Sequence, residues 1–342
     1  MNTATTGTPV QTRSATAQAH PNIALVKYWG KRDAALNLPV VGSLSITLDR
    51  IWTQTKVSFD PALTQDHFSL NGREDAKETQ KVNACLDLLR AKAGVKWGAR
   101  IESRNNFPTA AGLASSASGF AALVVAGAQA LGLKLADAEK SALARRGSGS
   151  AARSIFGGYV EWTLGTRADG ADSVATQILD AAAWPLSVVV AITSTAAKEI
   201  GSTVGMNRTA ETSPYQQAWI ESQEKDLAQA RAAIKARDFV ALAEVSEHSC
   251  LKMHALALSA KPGLLYWNGA TIEGMRRVRA LRAQNVPVFF TVDAGPQLKA
   301  VCLPEALPKV SAALREVPGV LDVVETGLGA GARVVNTETL KS

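Results

Sequence analysis

The chain has 342 residues, a length that allows two domains or one large domain. It is 46% hydrophobic and 20% charged, which predicts a soluble globular protein with a sizeable core. No apolar run reaches the roughly 18 residues of a membrane-spanning helix. The Thr-rich residues 1–14 lack the apolar segment of a secretion signal, so we expect a loose N-terminal tail and a cytoplasmic location.

The formal net charge of +7 indicates a negatively charged partner. Lysines and arginines alternate with acidic residues, and the basic runs that are typical of nucleic-acid binding are absent from the sequence. Aromatic residues make up only 6% of the chain, too few for an obvious base-stacking surface. We therefore expect an anionic small-molecule substrate, with neither nucleic acid nor a membrane as partner.

Cys85, Cys250 and Cys302 are far apart in the chain and predict buried, free thiols. The four histidines are scattered as well: His20, His67, His248 and His254. Neither set has the spacing of a zinc site, so no metal site is predicted from a direct motif.

Apolar periodicity predicts most elements of the first half. Strands are expected over 14–19 (an edge strand), 44–48 and 53–59 (both half-buried), 98–104 and 157–162. Helices are expected over 75–93, 117–131 and 135–145, and a small-residue loop over 147–154.

A domain boundary is predicted near Trp184 and Pro185, before a strand over 186–193. The remaining expectations are a polar loop over 198–209, helices over 215–236, 239–254, 264–284 and 305–316, and strands over 286–292 and 319–326. Strands and helices mix in both halves, which indicates an α+β protein with two layered domains, 15–185 and 186–342.

Small residues fill the segment 108–119, directly before the apolar run that predicts a buried helix. A loop of this kind lets the backbone approach a ligand, and a helix N-terminus presents unpaired N–H groups to phosphate. The same segment is equally consistent with a tightly packed helix start, with Ser115 or Ser116 as N-cap. It is neither a Walker A loop nor a Rossmann glycine motif.

A second candidate site lies at Lys27, Tyr28 and Lys31, after an apolar segment. A bend at Gly30 would turn both ammonium groups and the phenol toward one multiply charged phosphate. Spacing alone favours the simpler interpretation of two solvated lysines at a strand end.

Two more segments have a functional and a structural interpretation. Ser148, Ser150 and Arg153 form a possible anion nest in a glycine-containing turn, or merely a flexible turn beside a surface arginine. Asp293 follows an apolar strand, where catalytic carboxylates are common. Position alone favours the alternative, a cap for a helix that starts near Pro296.

Together these segments resemble the diphosphomevalonate decarboxylase family of the GHMP superfamily of small-molecule kinases. The matching stretches are AHPNIALVKYWGKRD (19–33), NNFPTAAGLASSASGFAAL (105–123), RRGSGSAARSIFGGYVEW (145–162), VDAGP (292–296) and, more weakly, KEIGSTVGM (198–206). The resemblance implies the two-domain GHMP-kinase fold, with an active site in the cleft between the domains and a homodimer.

The resemblance also implies a reaction: ATP and Mg²⁺ convert mevalonate 5-diphosphate to isopentenyl diphosphate, CO₂, ADP and phosphate through phosphorylation of the C3 hydroxyl. Asp293 would act on that hydroxyl as base or orienter, with Lys27 beside it. Arg153 and Asn22 would hold the substrate carboxylate. Ser116 would contact the γ-phosphate of ATP and is the candidate side chain for Mg²⁺, which is otherwise held by ATP.

By the same resemblance, the remaining ligand contacts fall into two groups. The 5-diphosphate would be held by Tyr28, Lys31, Ser148, Ser150, Lys198 and Thr203. The nucleotide would be held by Asn105, Pro108, Gly112, Leu113, Ala114, Ser115, Ser116 and Ser118.

One departure concerns the number of phosphates on the substrate. This chain has Thr203 and Val204 where some bacterial relatives place an arginine on the diphosphate. Mevalonate 5-phosphate is therefore the alternative substrate, with isopentenyl phosphate as its product. The presence of Asp293, Lys27 and Arg153 together disfavours a kinase that stops after phosphorylation, and the same set with Ser116 disfavours a non-catalytic homologue. The absence of basic runs disfavours a nucleic-acid-binding protein.

Overall fold

The computed structural model describes residues 12–107, 115–196 and 199–336. In these ranges the strands are β1 (Arg13–Ala19), β2 (Asn22–Val26), β3 (Lys31–Asp33), β4 (Leu38–Pro39), β5 (Ser43–Thr47), β6 (Thr53–Asp60), β7 (His67–Leu70), β8 (Gly98–Asn105), β9 (Tyr159–Trp162), β10 (Ala175–Leu179), β11 (Ser187–Ile192), β12 (Val288–Val292), β13 (Leu298–Cys302), β14 (Asp322–Gly327) and β15 (Arg333–Val335). The helices are α1 (Ala76–Ala93), α2 (Ser115–Ala130), α3 (Asp137–Gly147), α4 (Ala151–Ser154), α5 (Ser202–Thr212), α6 (Gln216–Ala236), α7 (Phe239–Leu258), α8 (Gly269–Ala283) and α9 (Leu307–Arg315).

The first sheet has the order β15-β1-β6-β8-β7, and only the β7–β8 pair is parallel. The apolar helix α2 packs against β1 and β6, as its run of small and branched residues predicts. The prediction that β1 is an edge strand was wrong, because β6 pairs with one side of it and β15 with the other. Its partner β15 lies more than 300 residues further along the chain, where no local pattern in residues 14–19 reveals it.

The second sheet, β10-β9-β5-β2, carries the strand that leads to Lys27. All five residues of β5 are buried, so the half-buried prediction was wrong for this strand. It is enclosed because β2 and β9 flank it and α4 and α6 both pack against it. In β6 alternate residues are partly exposed toward the end of the strand, close to the prediction.

The third sheet, β12-β13-β11-β14, is antiparallel throughout. Residues from 298 onward form β13, so the interpretation of Asp293 as the cap of a helix near Pro296 was wrong. Asp293 instead lies in the short connection between β12 and β13. Thus the carboxylate sits in a turn that two paired strands hold at both ends.

Three further expectations need correction. The predicted polar loop over 198–209 is largely the helix α5, whose Met206 and Thr209 are buried beneath the chain after β2. The predicted loop over 147–154 ends in the short helix α4. The helix predicted from residue 264 begins at Gly269, because the Asn268 side chain accepts a hydrogen bond from the N–H of Thr271 (2.8 Å) and so caps it.

One apolar cluster joins the two halves of the chain. Strand β15 returns to the first sheet, and one apolar cluster combines residues of β2 and β5 with residues of β11, α6 and α7. The domain division at residue 185 stays a prediction. Among the described residues, no helix has the length and apolar character needed to cross a membrane.

A substitution of Phe289 in β12 tests the packing of the apolar cluster that joins the two halves. Its side chain is fully buried against Phe239, with ring centroids 5.5 Å apart. We expect Phe289→Ala to lower the free energy of unfolding by about 3–5 kcal/mol, because it leaves a cavity. Val240→Ala, at a residue 66% exposed, should change it by less than about 0.5 kcal/mol. Urea denaturation of both variants measures the difference, and equal effects would contradict this packing.

Candidate active site

Lys27 is placed by the backbone at the end of β2. Its N–H donates to Ser249 Oγ of α7 (2.9 Å), and its carbonyl accepts from Gln223 Nε2 of α6 (2.7 Å). The side chain is 1% exposed, so the interpretation of Lys27 as a solvated lysine was wrong. Two helices of the second half therefore fix the direction in which this ammonium group points.

Asp293 lies between two lysines. Its Oδ1 is 2.5 Å from Lys27 Nζ, and its Oδ2 is 3.1 Å from Lys299 Nζ. The Asp293 side chain is 28% exposed, whereas Lys299 is 2% exposed. We call these three residues the ion cluster. Solvent, and hence any substrate, reaches the cluster through its carboxylate.

The charge state of the ion cluster follows from this geometry. Burial alone would raise the pKa of Asp293, but Lys27 and Lys299 outweigh burial and hold that pKa well below its usual range. The carboxylate is therefore ionised at neutral pH. A carboxylate with so low a pKa is a weak proton acceptor, but its negative charge attracts positive charge strongly.

Arg153 is buried on α4. Its Nε donates to Asn22 Oδ1 (3.1 Å), and its Nη1 donates to Ser43 Oγ (2.5 Å). Burial lowers the pKa of Arg153 to about 10, and Asp293 acts in the opposite direction, so the guanidinium remains charged at neutral pH. The sequence-based alternative of a surface arginine was wrong.

Asn22 holds Arg153 in place. Its Nδ2 donates to the carbonyl of Ser150 (2.9 Å) and to Ser154 Oγ (2.8 Å), which leaves Oδ1 directed at the guanidinium. Asn22 is thus a bridge between β2 and α4. Whether it also contacts a ligand stays a prediction.

Three serine hydroxyl groups lie close together between the start of α2 and the segment before α4. Ser116 Oγ is 3.2 Å from Ser148 Oγ, which is 3.3 Å from Ser150 Oγ. Tyr28 lies against Gly149, where an added Cβ would come within 2.7 Å of the phenol oxygen, so only glycine fits. The phenol is buried without a hydrogen-bond partner among the described residues, and burial raises its pKa, so it stays neutral.

Lys31 follows the bend predicted at Gly30, which has a φ of +102°. Its Nζ is 3.4 Å from Thr203 Oγ1 in the first turn of α5. Desolvation, and to a lesser extent Lys81, lowers the pKa of Lys31. The structure therefore brings Lys31 and Thr203 together, as the predicted diphosphate contacts require.

The residues predicted to contact the nucleotide do not all lie in one place. Ser115 and Ser116 open α2, but Ser118 is buried and bonds to Thr53 Oγ1 (2.6 Å), which in turn donates to Asn105 Oδ1 (2.7 Å). Ser118 therefore anchors the helix start. Five predicted site residues lie outside the described residues: Pro108, Gly112, Leu113, Ala114 and Lys198.

One face of α7 supports the site, and sequence reasoning missed it. Besides the Ser249 contact with Lys27, Cys250 Sγ accepts from the N–H of Val292 (3.1 Å), and His254 Nε2 donates to the carbonyl of Val292 (3.2 Å). The same helix thus fixes the backbone of Lys27 and that of the residue before Asp293. Polar residues on the buried side of a long amphipathic helix were the available signal.

Lys299 and Ser43 were also missed. Lys299 lies in β13, a strand that the sequence analysis did not predict, and a lysine inside an apolar five-residue run was the only signal. All three cysteines are free and buried, as predicted. The described residues contain no group of three or more metal-ligating side chains.

Two family models match the chain in succession. The N-terminal domain of diphosphomevalonate decarboxylase-like proteins matches residues 19–175, and the C-terminal domain of mevalonate 5-diphosphate decarboxylase matches residues 188–330. A diphosphomevalonate decarboxylase from Ganoderma lucidum is 40% identical over 305 residues, which cover 82% of this chain and 76% of the relative. The chain belongs to the diphosphomevalonate decarboxylase family.

Other members of the diphosphomevalonate decarboxylase family are similar over comparable lengths. The human protein is 38% identical over 319 residues, covering 87% of this chain and 79% of the relative. The structure from Staphylococcus aureus has a TM-score of 0.90 at 39% identity, covering 95% of this chain and 99% of that one. The structure from Enterococcus faecalis has a TM-score of 0.87 at 42% identity, covering 96% and 100%. The predicted α+β, two-domain fold is confirmed.

His254 provides a test of the support from α7. Burial lowers the pKa of His254 to about 3, so the folded protein keeps it neutral while the unfolded chain protonates it near pH 6.5. Its contribution to stability is therefore complete above about pH 6.5 and is lost as the pH falls toward 3.

We expect the free energy of unfolding of the wild type to fall between pH 6 and 4 more steeply than that of His254→Gln, by up to about 1.4 kcal/mol per pH unit. Urea denaturation across this range measures both slopes. His248→Gln, on the exposed side of the same helix, is the matched control and should keep the wild-type slope. Identical slopes in the wild type and His254→Gln would show that His254 is not held neutral.

Proposed function

We propose that this protein decarboxylates mevalonate 5-diphosphate in an ATP-dependent reaction, giving isopentenyl diphosphate, CO₂, ADP and phosphate through phosphorylation of the C3 hydroxyl. The proposal rests on the family membership and on one observation, the solvent-facing carboxylate of Asp293 clamped by two buried lysines. A related structure with a TM-score of 0.89 and 42% identity is described as a complex with MVAPP, AMPPCP and magnesium, which supports ATP and Mg²⁺ as the cofactors.

The residues at the start of α2 fit a nucleotide phosphate. Ser116 stands at the N-terminus of a 16-residue helix, and its hydroxyl lies beside that of Ser148. Helix N–H groups and hydroxyls suit phosphate oxygens and the water around Mg²⁺. Ser115 and Ser116 would hold these groups, and the bound nucleotide would supply the transferable phosphoryl group.

Asp293 would orient the C3 hydroxyl by accepting its hydrogen bond. Because the two lysines keep the carboxylate ionised, it would also favour the positive charge that develops at C3 when phosphate departs. Lys27, bound to the Oδ1 of Asp293, would lie close to the same hydroxyl and to the incoming phosphoryl group. This division of roles favours the orienting function of Asp293 over that of a base.

Arg153 would hold the substrate carboxylate with the N–H donors that its neighbours leave over. Asn22 takes the Nε–H and Ser43 takes one N–H of Nη1, and Nη2 has no hydrogen bond to any of the described residues. Because these two contacts fix the plane of the guanidinium, the remaining donors would orient the carboxylate for loss of CO₂.

The far end of the substrate would meet Tyr28, Lys31, Ser148, Ser150 and Thr203, with Lys198 as a further expected contact. Two phosphates are proposed because the similar Enterococcus faecalis structure is described as a mevalonate diphosphate decarboxylase whose ATP binding is mediated by mevalonate diphosphate. Lys31 and Thr203, 3.4 Å apart, would lie at the phosphate end of the substrate. Mevalonate 5-phosphate stays the alternative substrate. The cytoplasmic location stays an expectation from the sequence, and the homodimer stays an expectation of the family resemblance.

A coupled assay of ADP and CO₂ with both substrates tests the function. We expect equal amounts of the two products and a higher kcat/KM with mevalonate 5-diphosphate than with the monophosphate. ADP without CO₂ would contradict the decarboxylase assignment. Preference for the monophosphate would establish the alternative substrate.

Asp293→Asn should lower turnover at least about a hundredfold, since it removes the charge that faces C3. Binding of a fluorescent ATP analogue should persist, which separates the chemical defect from misfolding. Asp322→Asn, at an exposed carboxylate, is the matched control and should retain wild-type turnover. Near-normal turnover of the Asp293 variant would remove this residue from the reaction.

A further inference from the structure

Lys299 is a charged residue in a buried and otherwise apolar strand. It lies in β13 between Leu298 and Ala300, in a strand whose five residues are all buried. A buried ammonium group is costly unless it is paired. The only ion pair of Lys299 among the described residues joins its Nζ to Asp293 Oδ2 at 3.1 Å.

In the ion cluster, each carboxylate oxygen of Asp293 contacts a different lysine. Lys27, after β2, approaches Oδ1, and Lys299, on β13, approaches Oδ2. Lys299 pairs with Thr291 of β12 on one side and with Val190 of β11 on the other. Because β13 has a partner strand on each side, the backbone that carries the ammonium group is held inside the third sheet. Lys299 therefore reaches the carboxylate from the protein interior, while solvent reaches Asp293 itself.

We propose that Lys299 is a positioning residue for the decarboxylation: its ammonium holds Oδ2 of Asp293, so that the carboxylate stays charged and presents Oδ1, with Lys27, to the C3 hydroxyl. The inference rests on the proposed function. One lysine and one carboxylate would form a neutral pair that is free to rotate. The second lysine fixes both oxygens and leaves the cluster with a net charge of +1, which favours an anionic substrate.

Other titratable groups also face Asp293. Arg153 of α4 contributes positive charge, whereas Cys250 and His254 of α7 are neutral, because burial raises the pKa of the thiol and lowers that of the imidazole to about 3. Removal of Lys299 would thus leave Lys27 and Arg153 as the cations near Asp293. We expect the pKa of the carboxylate to rise while its ion pair with Lys27 persists.

The test is the pH profile of kcat/KM for Lys299→Met, which keeps the length of the side chain and removes its charge. At neutral pH, kcat should fall by about tenfold or more, because the carboxylate is less well oriented, while the KM for ATP stays near that of the wild type. The pKa of the wild-type Asp293 lies well below its usual range, so other groups set the wild-type acidic limb. In Lys299→Met the pKa of the carboxylate rises, and activity should be lost at a higher pH than in the wild type.

Lys252→Met is the matched control. Lys252 of α7, whose side chain is 18% exposed, forms an ion pair with the buried Asp226 of α6, with Nζ and Oδ2 2.6 Å apart, and among the described residues it has no ion pair with the ion cluster. Its loss should lower the melting temperature to a similar extent and leave the acidic limb in place. Lys299→Arg should restore the limb at least in part, since the charge returns.

The outcomes separate this inference from the proposed function. A wild-type enzyme that releases no CO₂ would overturn the proposed function. An active wild type and a folded Lys299→Met with the kcat and the pH profile of the wild type would overturn the role of Lys299 alone. Should Lys299→Met be isolated unfolded, Lys299→Gln, whose amide still donates to Oδ2, takes its place, and the same criterion applies.

Discussion

The ion cluster of Lys27, Asp293 and Lys299 constrains the rest of this structure. Buried charges persist in proteins when they are paired, and here each carboxylate oxygen has its own ammonium group. The pairing requires the end of β2, the β12–β13 turn and the middle of β13 to meet at one point. The contacts of α7 with Lys27 and Val292 hold two of these backbones, so packing of the second half decides the geometry of a residue in the first.

The same logic extends to the wider site. Arg153 is as deeply buried as the lysines, and Asn22 and Ser43 bind two of its nitrogens, so its position is settled before a ligand arrives. The side chains of Ser116, Ser148 and Ser150 are short and uncharged, and their hydroxyl groups can donate hydrogen bonds to phosphate oxygens. Together the charged groups give the site an excess of positive charge, in keeping with the anionic substrate that the net charge of +7 predicted.

Elements with a strong local period were predictable. Helices α1, α2, α6 and α7 follow from apolar spacing, and their observed bounds lie within a few residues of the predicted ones. The strands β10, β13 and β15 were missed, because their sequences are short and carry no clear alternation. In addition, β13 and β15 pair with strands more than 100 residues away in the chain, β11 and β1. The helix α5 was mistaken for a loop since its sequence is polar, and burial of Met206 and Thr209 under Trp29 stabilises it instead.

The sequence by itself determined the family and the fold class, and it singled out Lys27, Arg153 and Asp293 as candidate site residues. Lys27 and Arg153 lie in long contiguous motifs, and Asp293 lies in the short motif VDAGP. Local spacing, however, favoured a solvated Lys27 and a helix-capping Asp293. Only the tertiary structure decided that both are parts of one buried charge cluster, and that Lys299 completes it. The physical reason is that the pairing energy of a buried charge depends on the distance between residues as far apart in the chain as Lys27 and Asp293, which are separated by 266 positions, and no local pattern encodes such a distance.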